Sequence, residues 1–287
     1  MNSRKSQSMA VIGGGTMGVG IAYVFAVAGW QVYVVEPDDV RTQSMFDTLE
    51  TTAQGGLKRG KLTPEQVVQA TIGIQRLRSV GDMPRLLDLV IESIPERLDL
   101  KLKVLAQIEQ YQPRLIATNT SALSINQLAQ ALADPRHFLG MHFFNPVWSL
   151  PMVELVRGES THDDALVMAR EFSQSIGKTT ITVKDVPGFA TSRLDLIASL
   201  EAMRMLEDGV ASAADIDLAM VTAYRHPMGP LRLSDIVGLD VRLDIARHLS
   251  SALGPRYAPP RILEDMVSRG HLGQKSGKGF FEWPVHS

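Results

Sequence analysis

The chain has 287 residues, 45% hydrophobic and 21% charged, enough for a sizeable core and a length that points to about two domains. A net charge of −2 without long runs of one sign excludes a field that would gather nucleic acid or an anionic membrane. The absence of cysteine excludes disulfides, thiolate catalysis and cysteine-held metal, and fits a reducing, cytoplasmic setting; no metal site is expected.

Residues 1 to 8 read as a short flexible lead. The apolar run that follows is neither a signal peptide nor a membrane span, because the glycines up to Gly18 interrupt it and Gln31 and Glu36 close it with polar groups. Met9 to Ile12 predicts a strand, Gly13-Gly-Gly15-Thr16-Met17-Gly18 a tight turn, Gly20 to Ala28 a helix ended by Gly29, and Gln31 to Val35 a second strand. In such a unit Gly13 permits the turn, Gly15 lets the backbone approach a pyrophosphate, and Gly18 allows close helix packing, while the helix N-terminus with Thr16 and Met17 faces the phosphate charge. Glu36 stands at the end of the second strand, where a carboxylate accepts from both ribose hydroxyls and repels a 2′-phosphate. This is a Rossmann-type site, and the cofactor it favours is NAD.

Residues 39 to 70 read as two amphipathic helices joined through Gly55 to Lys61, with Thr63 and Pro64 opening the second. Lys58, Arg59 and Lys61 in the joint read first as a solvated basic turn and second as a grip on a ligand phosphate. Leu87 to Glu92 predicts another buried strand, with Glu96 and Lys101 flanking its outgoing turn and helix start. Leu115 to Ala117 predicts the next, running into Asn119 and Ser121. Ser124 with Gln127 forms a capping box, which leaves Asn119 and Ser121 unexplained at the carboxyl edge of the sheet, where open sheets bind ligands.

Phe138 to Phe144 and Met152 to Val156 predict two strands joined by a turn that Pro146 and Pro151 confine. A return centred on Trp148 sets His142 opposite Glu154. A carboxylate beside an imidazole fixes its tautomer, so the pair outlines a general-base dyad; by itself it equally describes a satisfied core histidine. A helix from Asp163 to Ser175 and a strand from Thr179 to Val183 complete a mostly parallel sheet.

Strand character stops at Lys184-Asp-Val-Pro-Gly188. The expected division is a dinucleotide-binding α/β domain over residues 9–184 and an all-α domain over 185–287. Helices are expected over Phe189 to Glu207, Ser212 to Val221, Leu233 to Leu253 and Arg261 to Arg269. The few charges on the first of these invite pairing with a second copy, or burial in the domain's own core.

With these residues laid out, the chain resembles the L-3-hydroxyacyl-CoA dehydrogenase family along nearly its whole length. Gly13 to Gly18, Ile94-Pro-Glu96, Ala117-Thr-Asn-Thr-Ser121, His142-Phe-Phe-Asn-Pro146, Glu154-Leu-Val, Pro187-Gly-Phe189, His226-Pro-Met-Gly-Pro230 and Lys275-Ser-Gly-Lys-Gly-Phe280 occur in family order. The resemblance implies NAD-linked oxidation of the 3-hydroxyl of a short-chain or dicarboxylic acyl-CoA, or the reverse, in acyl-CoA metabolism. It implies that His142 takes the hydroxyl proton, Glu154 orients it, and Ser121 and Asn145 lie by the substrate oxygen. Glu96, Lys101 and Asn119 would sit on the nicotinamide side, Lys58 and Lys61 would serve CoA, and the helical domain would dimerise. One departure stands out: after Pro-Gly-Phe the family carries Asn-Arg, whereas this chain reads Ala190-Thr-Ser192-Arg193, so Ser192 takes the place of an amide that bonds near the reacting oxygen. Two other readings stay open: a related dehydrogenase of a CoA-free hydroxy acid, of carnitine or gulonate type, and an NAD-binding protein with little activity.

Overall fold

Short apolar runs separated by helical stretches assemble into one eight-stranded sheet in the computed structural model, which describes residues 7–284. The elements up to Val186 form one compact unit and those from Pro187 onward a second. In the first, β1 (Ser8–Ile12), α1 (Thr16–Val27) and β2 (Gln31–Val35) are followed by α2 (Asp39–Lys58), α3 (Pro64–Thr71), β3 (Ile74–Leu77) and β4 (Leu89–Glu92). Then come α4 (Leu98–Glu109), β5 (Ile116–Thr118), α5 (Ile125–Ala129), β6 (Phe138–Phe143), β7 (Met152–Arg157), α6 (Asp163–Ser175) and β8 (Thr179–Lys184). The strands lie in the order β3-β2-β1-β4-β5-β6-β7-β8, and every neighbouring pair is parallel except β6 with β7. Parallel neighbours require crossover connections, and the helices supply them; the central strands are therefore buried on both faces and read as continuous apolar runs. Met9, Val11, Val32, Val34, Leu89, Ile91, Ala117, Leu139 and Met141 form the middle of that core.

Several details differ from the sequence expectations. The lead lies outside the described residues as far as position 6, while Ser8 already pairs with Gln31 in β1. β3 was not expected: it is four residues long, only Ile74 of it is fully buried, and it sits at the sheet edge, so it lacks the apolar run that marks the inner strands. α2 continues through Gly55 and Gly56 to Lys58 instead of ending at the glycines. A Cβ on Gly56 would stand 2.9 Å from Leu62 Cγ, so the glycine serves the close approach of the following turn and not a break. Ser124 Oγ accepts from Gln127 N (3.2 Å) without the return bond of a capping box, and itself donates to Asp185 Oδ2 (2.6 Å).

The second unit contains α7 (Thr191–Glu207), α8 (Ala213–Ala223), α9 (Pro230–Val237), α10 (Leu239–Leu253) and α11 (Arg261–Ser268). α7 begins two residues later than expected because Gly188 and Phe189 both have positive φ. The single helix expected over Leu233 to Leu253 is two: Gly238 at φ 102 breaks it, and Pro230 starts α9 earlier, its first turn capped by the Asp217 carboxylate accepting from Leu231 N and Arg232 N (2.9 Å each). Leu196, Leu200 and Met203 of α7 pack with Leu231, Leu239, Leu243, Leu249 and Leu263. Buried Asp235 accepts from Phe280 N, Phe281 N and Trp283 Nε1 (2.9, 2.9 and 2.8 Å) and so ties the last described segment onto the helices. Among the described residues no helix is long and apolar enough to cross a membrane, and no group of three or more His, Asp or Glu could hold a metal ion.

Candidate active site

The backbone ladder continues past the strand ends at one edge of the sheet and builds a site there. Gly13 N donates to Val35 O (2.9 Å), Ser93 N to Ile12 O (2.8 Å) and Asn119 N to Glu92 O (2.8 Å), so the segments after β1, β4 and β5 leave the sheet side by side. The motif glycines divide the work as their spacing predicts. Gly13 has φ 110, and a Cβ there would stand 2.6 Å from Ser93 O; a Cβ on Gly18 would collide with the Gly13 carbonyl; Gly15 has nothing within 4 Å. The open side at Gly15 meets the N-terminus of α1, which no side chain caps. That cradle fits a pyrophosphate, since the first-turn N–H groups and the helix dipole both favour an anion.

A cavity of about 820 Å³ runs along this edge, lined among others by Gly13, Gly15, Thr16, Met17, Glu36, Glu96, Asn119 and Ser121. Glu36 is buried, its Oε2 accepting from Gly14 N (3.1 Å) and its Oε1 from Asp38 N (3.0 Å). Its carboxylate is thus held at the end of β2, with the exposed Arg41 3.6 Å away. Gly18 does not line the cavity; it packs inside the turn.

Lys101 is also absent from the lining. Its side chain is 1% exposed, and its ammonium is spent on Glu92 Oε1 (2.7 Å), Ile94 O (3.2 Å) and Glu96 Oε2 (3.3 Å). Two of its three N–H donors are hydrogen-bonded, to Glu92 and Ile94, with Glu96 as a further ion-pair partner, so the lysine that the resemblance puts on the nicotinamide side is also engaged inside the protein. Glu96 Oε1 in turn gathers Thr120 Oγ1 (2.5 Å), Ser121 N (3.1 Å) and Ala122 N (3.2 Å). Glu96 therefore orders the turn that presents the exposed Ser121 side chain.

β6 and β7 pair antiparallel with His142 opposite Glu154, and His142 Nδ1 lies 2.9 Å from Glu154 Oε2. Glu154 is fully buried and His142 is 6% exposed, with its ring 4.4 Å from that of Phe144. An ionised carboxylate can only accept, so the proton of a neutral His142 sits on Nδ1 and Nε2 is the basic nitrogen. Asn119 Oδ1 accepts from Phe143 N (2.9 Å), tying the segment after β5 to the strand one residue beyond His142. Asn145 lies exposed just past the end of β6. Ser192 is carried by the helical unit, as the second residue of α7.

A second cavity of about 340 Å³ opens in the first unit beside the β6–β7 connection. Arg59, Lys61 and Lys178 line it together with Tyr23 and Trp148, whose rings meet edge to face at 6.0 Å, and no acid is among its lining residues. Lys61 is where the basic turn placed it, whereas Lys58, the last residue of α2, does not line the cavity. Sequence reasoning missed Lys178, which carries no motif. It also missed Glu92 and Thr118, whose Oγ1 donates to Glu92 Oε2 (2.7 Å); an acid closing the otherwise apolar run of β4 was the available signal.

Comparison with known proteins gives the family and the fold. Residues 8–186 match the family model described as 3-hydroxyacyl-CoA dehydrogenase, NAD binding domain, and residues 188–283 that described as 3-hydroxyacyl-CoA dehydrogenase, C-terminal domain. A 3-hydroxybutyryl-CoA dehydrogenase of Mycobacterium tuberculosis is 38% identical over 284 residues, covering 96% of this chain and 98% of that protein. A 3-hydroxyadipyl-CoA dehydrogenase of Escherichia coli is 36% identical, covering 96% of this chain and 59% of that longer protein. The crystal structure of an (S)-3-hydroxybutyryl-CoA dehydrogenase from Ralstonia eutropha superimposes with a TM-score of 0.92 at 37% identity, covering 98% of this chain and all of that one.

Proposed function

The chain belongs to the 3-hydroxyacyl-CoA dehydrogenase family, and from that premise we propose that it interconverts a short-chain or dicarboxylic (S)-3-hydroxyacyl-CoA and its 3-ketoacyl-CoA, with His142 as the base and Glu154 as its orienting partner. The family activity makes it an NAD-dependent oxidoreductase. NAD, when bound, accepts the hydride from C3. The residues that would hold it are the Gly13–Gly18 turn at its pyrophosphate and Glu36 at its adenosine ribose, with Asn119 and Glu96 along the same cavity.

The observation that carries the proposal is the buried His142–Glu154 contact at the sheet edge. With Nδ1 engaged by the carboxylate, Nε2 takes the hydroxyl proton in oxidation and returns it in reduction, and Glu154 compensates the charge of the imidazolium. Ser121 hydrogen-bonds the substrate oxygen, its backbone held by Glu96. Asn145 adds an amide beside the substrate oxygen, and Ser192, at the start of α7, offers a hydroxyl where the family has an amide. The anion cavity of Arg59, Lys61 and Lys178 takes the phosphate end of CoA. Two copies pair through the helical unit, where Leu218 and Val221 of α8 and Tyr224 just after it are 56, 37 and 73% exposed, and the protein works in the cytoplasm.

The test is NADH-dependent reduction of acetoacetyl-CoA. Wild type turns over, and His142→Ala loses about 10²–10⁴-fold in the chemical step with NADH affinity retained. Equal turnover by the variant would sink the mechanism. Faster oxidation of a CoA-free hydroxy acid than of any thioester would reassign the substrate. If only Ser192→Asn turns over, Ser192 does not support the reaction.

A further inference from the structure

The connection between β6 and β7 joins the strand that carries His142 to the strand that carries Glu154, and Asn145 opens it. Within it, Ser149 N and Leu150 N donate to Pro146 O (3.0 and 3.1 Å), which closes a compact turn. Lys178 fastens that turn from outside: its Nζ donates to Val147 O (2.5 Å) and Leu150 O (2.6 Å), while Thr179 N donates to Pro151 O (2.7 Å). The Lys178 side chain is 7% exposed and has no ion-pair partner among the described residues. Burial pushes its ammonium below the usual lysine range.

An ammonium buried with two neutral acceptors and no counter-charge is costly, and here two more cations, Arg59 and Lys61, share its cavity. Two of the three N–H groups of Lys178 are spent on the turn, and the residue lines the cavity. An anion bound there would supply the missing compensation and would favour the charged form of the same nitrogen, keeping it in place as a donor to both carbonyls.

We propose that Lys178 is a positioning residue that links the two sites: a phosphate group bound with Arg59 and Lys61 draws on the ammonium that clamps the 145–151 turn, so that binding at the phosphate end of the thioester tightens the turn between the base and its carboxylate. The link rests on the acyl-CoA reading, and it gives the phosphate end of the substrate a share in turnover as well as in affinity.

The test separates the two ends of the substrate. Acetoacetyl-pantetheine carries the reacting group without the phosphates, and adenosine 3′,5′-bisphosphate supplies phosphates without the reacting group. Wild type is expected to reduce acetoacetyl-pantetheine slowly, and saturating bisphosphate is expected to raise its kcat about threefold or more. In Lys178→Met, which keeps the length of the side chain, acetoacetyl-CoA is still reduced with a lowered kcat, NADH affinity is unchanged, and the bisphosphate no longer activates. Arg59→Ala is expected to need more bisphosphate and to reach the same plateau, since it loses binding and keeps the clamp. Hydrogen exchange of the 145–151 amides in wild type is expected to slow on adding the bisphosphate, a readout that stands even where Lys178→Met does not fold. Activation of Lys178→Met equal to that of wild type, no activation of wild type, or unchanged exchange would each overturn the link. A wild type that reduces no acetoacetyl thioester overturns the acyl-CoA reading instead, and the exchange measurement then decides the link by itself.

Discussion

Two buried ion pairs, one in each unit, are satisfied to different degrees. In the first, the Lys101 ammonium, the Glu92 carboxylate, Thr118 and Ile94 form a compact set in which the lysine donates to Glu92 Oε1 and Ile94 O, has Glu96 as a second ion-pair partner, and both oxygens of Glu92 have donors. In the second, Arg242 is 2% exposed and pairs through Nη1 with Asp195, while its Nε and Nη2, like the buried Ser199 Oγ, meet no hydrogen-bond partner among the described residues. A buried charge repays its desolvation only when paired and fully hydrogen-bonded. The first arrangement holds geometry, since it leads through Glu96 to the turn bearing Ser121; the second is a charge pair that apolar side chains of similar size could replace.

The sharpest way to break this contrast is Lys101→Met, which strands the Glu92 carboxylate in the core. A loss of about 3–5 kcal/mol in urea-induced unfolding is expected. A loss below about 1 kcal/mol would show that the set is ornamental. Next in size is Glu154→Gln, which keeps the volume at β7 and removes the acceptor charge facing Nδ1; kcat/KM for acetoacetyl-CoA should fall by about 100-fold, and an unchanged value would mean that His142 works without its partner. The double replacement Asp195→Leu with Arg242→Met comes third: unfolding free energy should change by less than about 1 kcal/mol or rise, and a cost like that of Lys101→Met would erase the contrast.

Lys178 stands between the two cases, with two carbonyl acceptors and no counter-charge. Burial lowers its pKa below the model-compound 10.5, so between that lowered value and 10.5 the unfolded chain binds more protons than the folded one, and stability rises with pH. The stability of wild type relative to Lys178→Met should therefore increase across that window, the smallest effect of the four. A difference that stays flat with pH would show that burial does not hold the lysine in the way its surroundings imply.

Much of the site was legible because local patterns carry it. The glycine spacing assigns a separate steric duty to Gly13, Gly15 and Gly18, and each has the surroundings that duty requires. The short return between two apolar runs was enough to set His142 against Glu154, since an antiparallel register follows from the length of its turn. Helix limits were less legible: Gly56 sits inside a helix and Gly238 breaks one, and what separates them is a packing contact with Leu62 in the first case and a positive φ in the second. β3 lacks a strand signal because an edge strand is half solvated and needs fewer apolar residues than an inner one.

By itself, then, the sequence determined most of the strands and helices, the dinucleotide turn with its acid, the change from an α/β to a helical part, and the pairing of base and carboxylate, all of which arise from periodicity or from residues within about two dozen positions. Only the tertiary structure decided which charges are spent on one another. Lys101 is paired with Glu92 inside the protein, Lys58 fell outside the cavity that Lys61 joins, and Lys178 came to hold Val147 and Leu150. The reason is physical: a lysine has the same side chain in either role, and whether its donors point at a neighbour or a ligand depends on partners that crossover connections bring from distant parts of the chain.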